Sequence, residues 1–273
     1  MFHKYEKNAL HSAFLGTMQL PKPLYFNYIS EFVGTALLLS LGLSFVIFDW
    51  GAGSVVARII PSVQERRLIT GFLFGCTGCA VTLSPVGKIS GAHINPAVSI
   101  AFWLRRKMKL KVMMGYIISQ MLGAIVGCLP LLFWGQQGKS VGYGNTLPGI
   151  AGQFGTFWGE AATTALLILV IYIFVGSPKL RNYTPYTMPF LYSVMVWAET
   201  AYSGCSTNPA RSFGPAIVSM NFTGYWLYWA GPLTGVIIIT VLFRALRLHK
   251  YYHIEAARVS HHNEPTDKNL KSV

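Results

Sequence analysis

Charge is what this chain has little of. Only 11% of its 273 residues are charged, and just 9 are Asp or Glu, whereas roughly a quarter of a soluble domain's residues carry charge. That shortage excludes an ordinary soluble domain. Cysteine is also scarce: Cys76, Cys79, Cys128 and Cys205 are the full complement, each within or beside an apolar run. The lone C-x-x-C at Cys76 and Cys79 has no second pair or nearby His to complete the four ligands of a structural zinc. Small residues at a helix interface explain it better. No nucleophile with a base and no metal-ligand set occurs, so the expectation is neither an enzyme nor a cofactor or metal protein. Before Glu31 there is no short apolar core with a small-residue cleavage site, so the first apolar run is expected to be retained.

What the chain has in quantity is hydrophobic residues, 52% of the total. A bilayer core of about 30 Å needs about 20 apolar residues per helical crossing. Such segments read at 27–48, 67–86, 110–134, 155–176, 186–203 and 224–246. They predict one membrane domain over 27–246, a tail at 1–26, and a polar, disordered tail at 247–273.

The net charge of +13 raises the question of nucleic acid, and its placement answers it. Arg105, Arg106, Lys107, Lys109 and Lys111 lie between spans two and three, Lys179 and Arg181 between four and five, and Arg244, Arg247, Lys250 and Arg258 after span six. With Lys4, Lys7 and Lys22 they fall on one side, which the positive-inside rule makes cytoplasmic, together with both termini. Arg58, Arg66 and Arg67 fall on the other side, offset in part by Asp49 and Glu65. The partner implied is lipid, not DNA or RNA, and the membrane expected is a plasma or bacterial inner membrane. The sequon Asn221-Phe222-Thr223 sits almost against span six and reads as a turn.

The chain also repeats itself. Asn-Pro-Ala occurs at Asn95-Pro96-Ala97 and again at Asn208-Pro209-Ala210. Downstream come Gln120-Met121-Leu122-Gly123 and Pro232-Leu233-Thr234-Gly235; upstream, each half opens with a glutamate and small residues, at Glu31 and Glu160. This is an internal duplication, with repeat one at about 27–134 and repeat two at about 155–246.

After each motif the apolar run is short, at Pro96–Leu104 and Pro209–Met220. Neither can span a bilayer, but two half-helices meeting end to end can. Asn as N-cap with Pro at the first helical position is a good helix start. Inverted halves would bring both Asn near the midplane. The segments before them, including Gly91, Ala92, His93, Ile94 and Gly204, Cys205, Ser206, Thr207, are irregular, and their carbonyls need water to line. Glu31 and Glu160 are read as anchors for those loops in preference to proton relays. Arg211 stands where repeat one has Val98, a fixed positive charge in the pore.

At these residues the chain resembles the aquaporin family, the major intrinsic proteins. The matching segments are Ser90 to Val98, Gly204 to Ala216, and Tyr228-Trp229-Ala230-Gly231-Pro232. The resemblance implies an all-α membrane protein with six tilted transmembrane helices, two re-entrant half-helices in an inverted repeat, a pore in each protomer and a homotetramer. It implies passive passage of water without protons or ions, the arginine and half-helix dipoles being the family's known barrier. Ser212, Ala216 and the Tyr228-Trp229 pair look like the water type; glycerol-type members typically have Asp at the position of Ser212. Family spacing puts the constriction at Gly75, Val196, Cys205 and Arg211, a wider and less polar opening than the Phe and His of water-selective members. A one-residue slip in span two would put Phe74 there instead. A broader facilitator for glycerol, urea, ammonia or peroxide, and an ion-coupled secondary transporter, are the competing readings; against the second, the membrane acids Glu31, Glu160 and Glu199 give no obvious ion site in the pore.

Overall fold

An apolar run in lipid must satisfy every backbone N–H and C=O within itself, and the α-helix does so. The computed structural model describes residues 23–252. Its principal helices are α1 Tyr25–Trp50, α2 Val63–Leu83, α3 Pro96–Leu104, α4 Leu110–Cys128, α5 Gly152–Gly176, α6 Thr184–Ser203, α7 Pro209–Ser219 and α8 Leu227–Ala245. Helices α1, α5 and α8, and α4 with the short turns that extend it to Lys139, are long and apolar enough to cross a membrane. The remaining long helices are more polar: α2 opens with Glu65, Arg66 and Arg67, and α6 is rich in Tyr, Thr and Ser. These two pack mainly on one another, and their outer faces stay open, with Leu68, Phe72, Phe190, Val194 and Trp197 exposed.

Span three ends earlier than its apolar run suggests. Helix α4 stops at Cys128 and gives way to a 3-10 turn, Leu129–Trp134, because Pro130 has no N–H to continue the helix. The sequon forms the expected turn, in which the Thr223 N–H donates to Asn221 Oδ1 at 3.1 Å. The expectation of disorder for the C-terminal tail, and most of the N-terminal tail, lie outside the described residues.

The packing has the symmetry of the sequence. Helix α1 lies along α4 and α5 along α8; half-helix α3 packs on α8 and half-helix α7 on α4, while α2 and α6 pair across the middle. Each half therefore wraps its half-helix with a long helix of the other. Glycine sets the closeness of the long pairs: a Cβ on Gly123 or Gly127 of α4 would collide with the backbone of α1 at Phe32 and Ala36, and one on Gly235 of α8 with Ala161 of α5. Small residues at such crossings let backbones touch, where van der Waals contact substitutes for the missing hydrophobic drive.

Candidate functional site

The half-helices begin as their sequences dictate. Asn95 and Asn208 are extended N-caps followed by Pro at the first position. Asn95 Oδ1 accepts the Ala97 N–H at 2.8 Å, and Asn208 Oδ1 accepts Ala210 N–H at 3.0 Å and Arg211 N–H at 3.3 Å. With both oxygens so engaged, each amide nitrogen points forward. Asn95 Nδ2 donates to the Thr207 carbonyl at 3.0 Å, and Asn208 Nδ2 donates to the Ile94 carbonyl at 2.9 Å. Each motif thus reaches the carbonyl just before the other motif. The two N-termini meet head to head, both Asn buried at 4% exposure.

The approach loops share a backbone pattern rare for their residue types. Positive φ occurs at Gly91, Ala92 and Ile94 in one loop and at Gly204, Cys205 and Thr207 in the other. For β-branched Ile94 (43°) and Thr207 (55°) this is strained, and such strain persists only where surroundings over-determine it. The glutamates supply the determination. Glu31 takes the N–H groups of His93 at 2.9 Å and Ile94 at 2.7 Å, one on each oxygen; Glu160 takes those of Ser206 at 2.7 Å and Thr207 at 2.8 Å in the same manner. Glu31 is steadied by Gln120 Nε2 at 2.7 Å and Glu160 by Ser203 Oγ at 2.6 Å. Both carboxylates are fully buried and act as clamps that turn successive N–H groups away from the loop's other face.

Two further anchors were not legible beforehand. Tyr116 Oη donates to the Ser90 carbonyl at 2.9 Å and Tyr228 Oη to the Ser203 carbonyl at 2.7 Å. They sit about twenty residues after each Asn, so the duplication held the signal. Glu199, by contrast, is buried without a well-formed hydrogen bond on either oxygen, its neighbours being Ser203 and Cys205.

Arg211 is buried at 6% exposure, and its Nη1 donates to the Gly144 carbonyl at 2.6 Å. That carbonyl comes from the loop between α4 and α5, which Thr146 ties to Ser212 by a 2.7 Å hydroxyl contact. The guanidinium carbon lies 5.8 Å from the ring centroid of Phe74. Gly75 lies against the backbone of Met188 and Pro189 in α6, and Val196 packs on Gly71 of α2. Of the residues assigned to the constriction, Cys205 and Arg211 flank the second Asn motif, and the aromatic ring beside Arg211 belongs to Phe74. A cavity of about 540 Å³ runs from Arg181 and Asn182 to Asn95 and Asn208, bordered by His93, Ile94, Phe74 and the Gly75 backbone.

Two half-helices meeting N-terminus to N-terminus at the end of such a cavity, inside a bundle of membrane-crossing helices, make a channel rather than a carrier with a soluble site. The model of the Major intrinsic protein family matches residues 21–243, and the chain belongs to that family. Among its relatives, Aquaporin TIP2-3 of Arabidopsis thaliana is 30% identical over 237 residues, covering 85% of this chain and 91% of the relative. The Lens fiber major intrinsic protein of Lithobates pipiens is 32% identical over 220 residues, covering 76% and 75%. The X-ray structure of the aquaglyceroporin from Plasmodium falciparum shares the fold, with a TM-score of 0.65 at 20% identity over 81% of this chain and 96% of that one.

Proposed function

We propose that this channel conducts water passively and excludes protons and ions. The observation that carries the reading is the crossed pair of Asn amides. Each NH₂ has two N–H groups; one bonds the opposing carbonyl, and the other is free for the lumen. A water molecule between them receives two bonds, so its lone pairs are occupied and it cannot accept a proton from the file. Each half-helix N-terminus adds roughly half a positive charge, and Arg211 adds a full one where water screens poorly. The loop carbonyls not taken by the Asn95 and Asn208 amides lend acceptors to the water file along the way.

We assign the constriction to Phe74, Cys205 and Arg211, with Gly75 contributing backbone and Val196 standing behind at the α2–α6 contact. The termini are cytoplasmic, in a plasma or bacterial inner membrane, and the apolar outer faces of the helices suit a homotetramer. A second reading, facilitation of small neutral solutes, draws support from the cavity of about 540 Å³, which exceeds the needs of a single water file. Stopped-flow light scattering on proteoliposomes, with water, glycerol, urea and ammonia measured in one preparation alongside a proton-sensitive dye, tests the reading. Rapid osmotic shrinkage with background proton flux is expected; proton or ion current on the scale of the water flux would overturn it.

A further inference from the structure

The cavity stops short of Arg211. Its border includes Phe74, Tyr192, Ile94 and both Asn, but neither Arg211 nor Cys205. Of the residues bordering the cavity, Phe74 of α2 reaches the arginine, 5.8 Å from ring centroid to guanidinium carbon, and its ring pairs with that of Tyr192 of α6, centroids 5.9 Å apart and planes inclined at 48°. Tyr192 is not free to swing. Its Oη lies 3.0 Å from Thr207 Oγ1, and Thr207 is the residue whose N–H is clamped by Glu160 and whose carbonyl is held by Asn95. The ring opposite is equally confined, since Phe74 lies against Gly42 of α1, where a Cβ would strike it.

We infer that Tyr192 is a size- and polarity-selecting residue at the midplane, forming with Phe74 a second sieve next to the Asn pair that limits passage to solutes little larger than water. The inference rests on the channel reading above and specifies it. Three features make Tyr192 suited to the task. Its ring narrows the lumen where the two Asn amides have already fixed the position of the permeant. A tyrosine loses few torsions when tethered, so the bound ring stays in place. Its hydroxyl, shared with Thr207, keeps one lone pair or the proton for the permeant, so a polar solute of water's size meets a partner while a larger polyol meets the ring. Helix α2 presents two glycines, Gly71 and Gly75, to the backbone of α6 at their crossing, which brings the two aromatic rings within reach of each other.

The test compares wild type with Tyr192→Val and Tyr192→Phe in proteoliposomes, each first confirmed monodisperse in detergent. Tyr192→Leu replaces the valine variant if that does not fold. Water, urea and glycerol fluxes are read in the same vesicles. Tyr192→Val is expected to raise the glycerol-to-water flux ratio on the order of tenfold, the scale on which one missing apolar group alters discrimination. Tyr192→Phe, which keeps the ring, is expected to hold the wild-type ratio. A wild-type protein passing glycerol as readily as water, an unchanged ratio in Tyr192→Val, or an equal rise in Tyr192→Phe would each overturn the inference while leaving the water channel intact. Absence of water flux in wild type would strike the underlying reading instead.

Discussion

Four carboxylates are buried among the described residues, Glu31, Asp49, Glu160 and Glu199, and they carry different weights. Glu160 is the sharpest test. Its oxygens accept three bonds, from Ser203 Oγ and from the N–H groups of Ser206 and Thr207. A bond to a charged acceptor contributes about 1.5–3 kcal/mol and a neutral one about 0.5–1.5 kcal/mol. Glu160→Gln preserves at most two bonds, both neutral. It sets the new NH₂ against the Thr207 or Ser206 N–H, leaving a buried donor unpaired at a cost of about 1–3 kcal/mol. Removing the charge recovers several kcal/mol of desolvation, so the net loss is on the order of 2–4 kcal/mol. At about 2–4 °C per kcal/mol for a chain of this size, Tm falls by about 5–15 °C. The strained backbone at Thr207 is released, and water flux falls with it. Glu31→Gln, whose carboxylate also accepts three bonds, behaves alike. Glu199→Gln loses only poorly formed contacts with Ser203 and Cys205 and leaves Tm unchanged or higher. The assay is thermal unfolding in detergent by intrinsic fluorescence, with stopped-flow water permeability alongside. An unchanged Tm in Glu160→Gln together with lost transport would refute the clamp and point to a proton relay.

Other expectations follow from the same geometry. Arg211→Val removes a unit charge that, for a permeant cation passing about 6 Å away, is worth about 3 kcal/mol at an effective dielectric of about 20; proton conductance should rise about a hundredfold while water flux persists, read with a pH dye in vesicles. Mercurials should inhibit mainly at Cys205, so Cys205→Ser should be largely resistant, and full sensitivity in that variant would place the reactive thiol elsewhere. Gly75→Phe should destabilise the fold by about 1–3 kcal/mol or more through overpacking, because its side chain would enter the backbone of Met188 and Pro189; a stable variant with narrowed solute flux would mean that a side chain at position 75 turns into the lumen.

The duplicated motifs made the fold and the centre of the site readable from sequence. Asn-Pro-Ala states its local structure outright as a cap and a helix start, and its recurrence implies that the halves oppose each other. Helix rotation was not readable. Successive residues on a helix point about 100° apart, so counting back from Asn95 across residues 84–95, helical only at Gly87–Ser90, cannot settle whether residue 74 or 75 faces a given neighbour. Packing settles the surroundings: glycine takes the tight contact with α6, and phenylalanine goes beside Arg211. The roles of Tyr116, Tyr228 and Tyr192 were hidden for a different reason. Their partners are loop oxygens on other elements, and nothing in a tyrosine's own neighbours in sequence names a distant carbonyl or hydroxyl.

The crossed amide bonds also bear on how the molecule is made. Asn95 depends on the carbonyl of Thr207, and Asn208 on that of Ile94, across separations of 112 and 114 residues. When the first half-helix leaves the ribosome, the groups that hold its tip do not yet exist. At roughly 5–20 residues per second, their synthesis takes roughly another 6–23 s. Through that interval the Asn95 amide and the Ile94 carbonyl must be hydrated or held by the insertion machinery, and α3 stays outside its final seat. Translation stalled between the two motifs would therefore leave the first hairpin accessible to a water-soluble thiol reagent at an introduced cysteine near Asn95, and synthesis past Asn208 would close it. The pore is in this sense assembled last, by the arrival of the second loop.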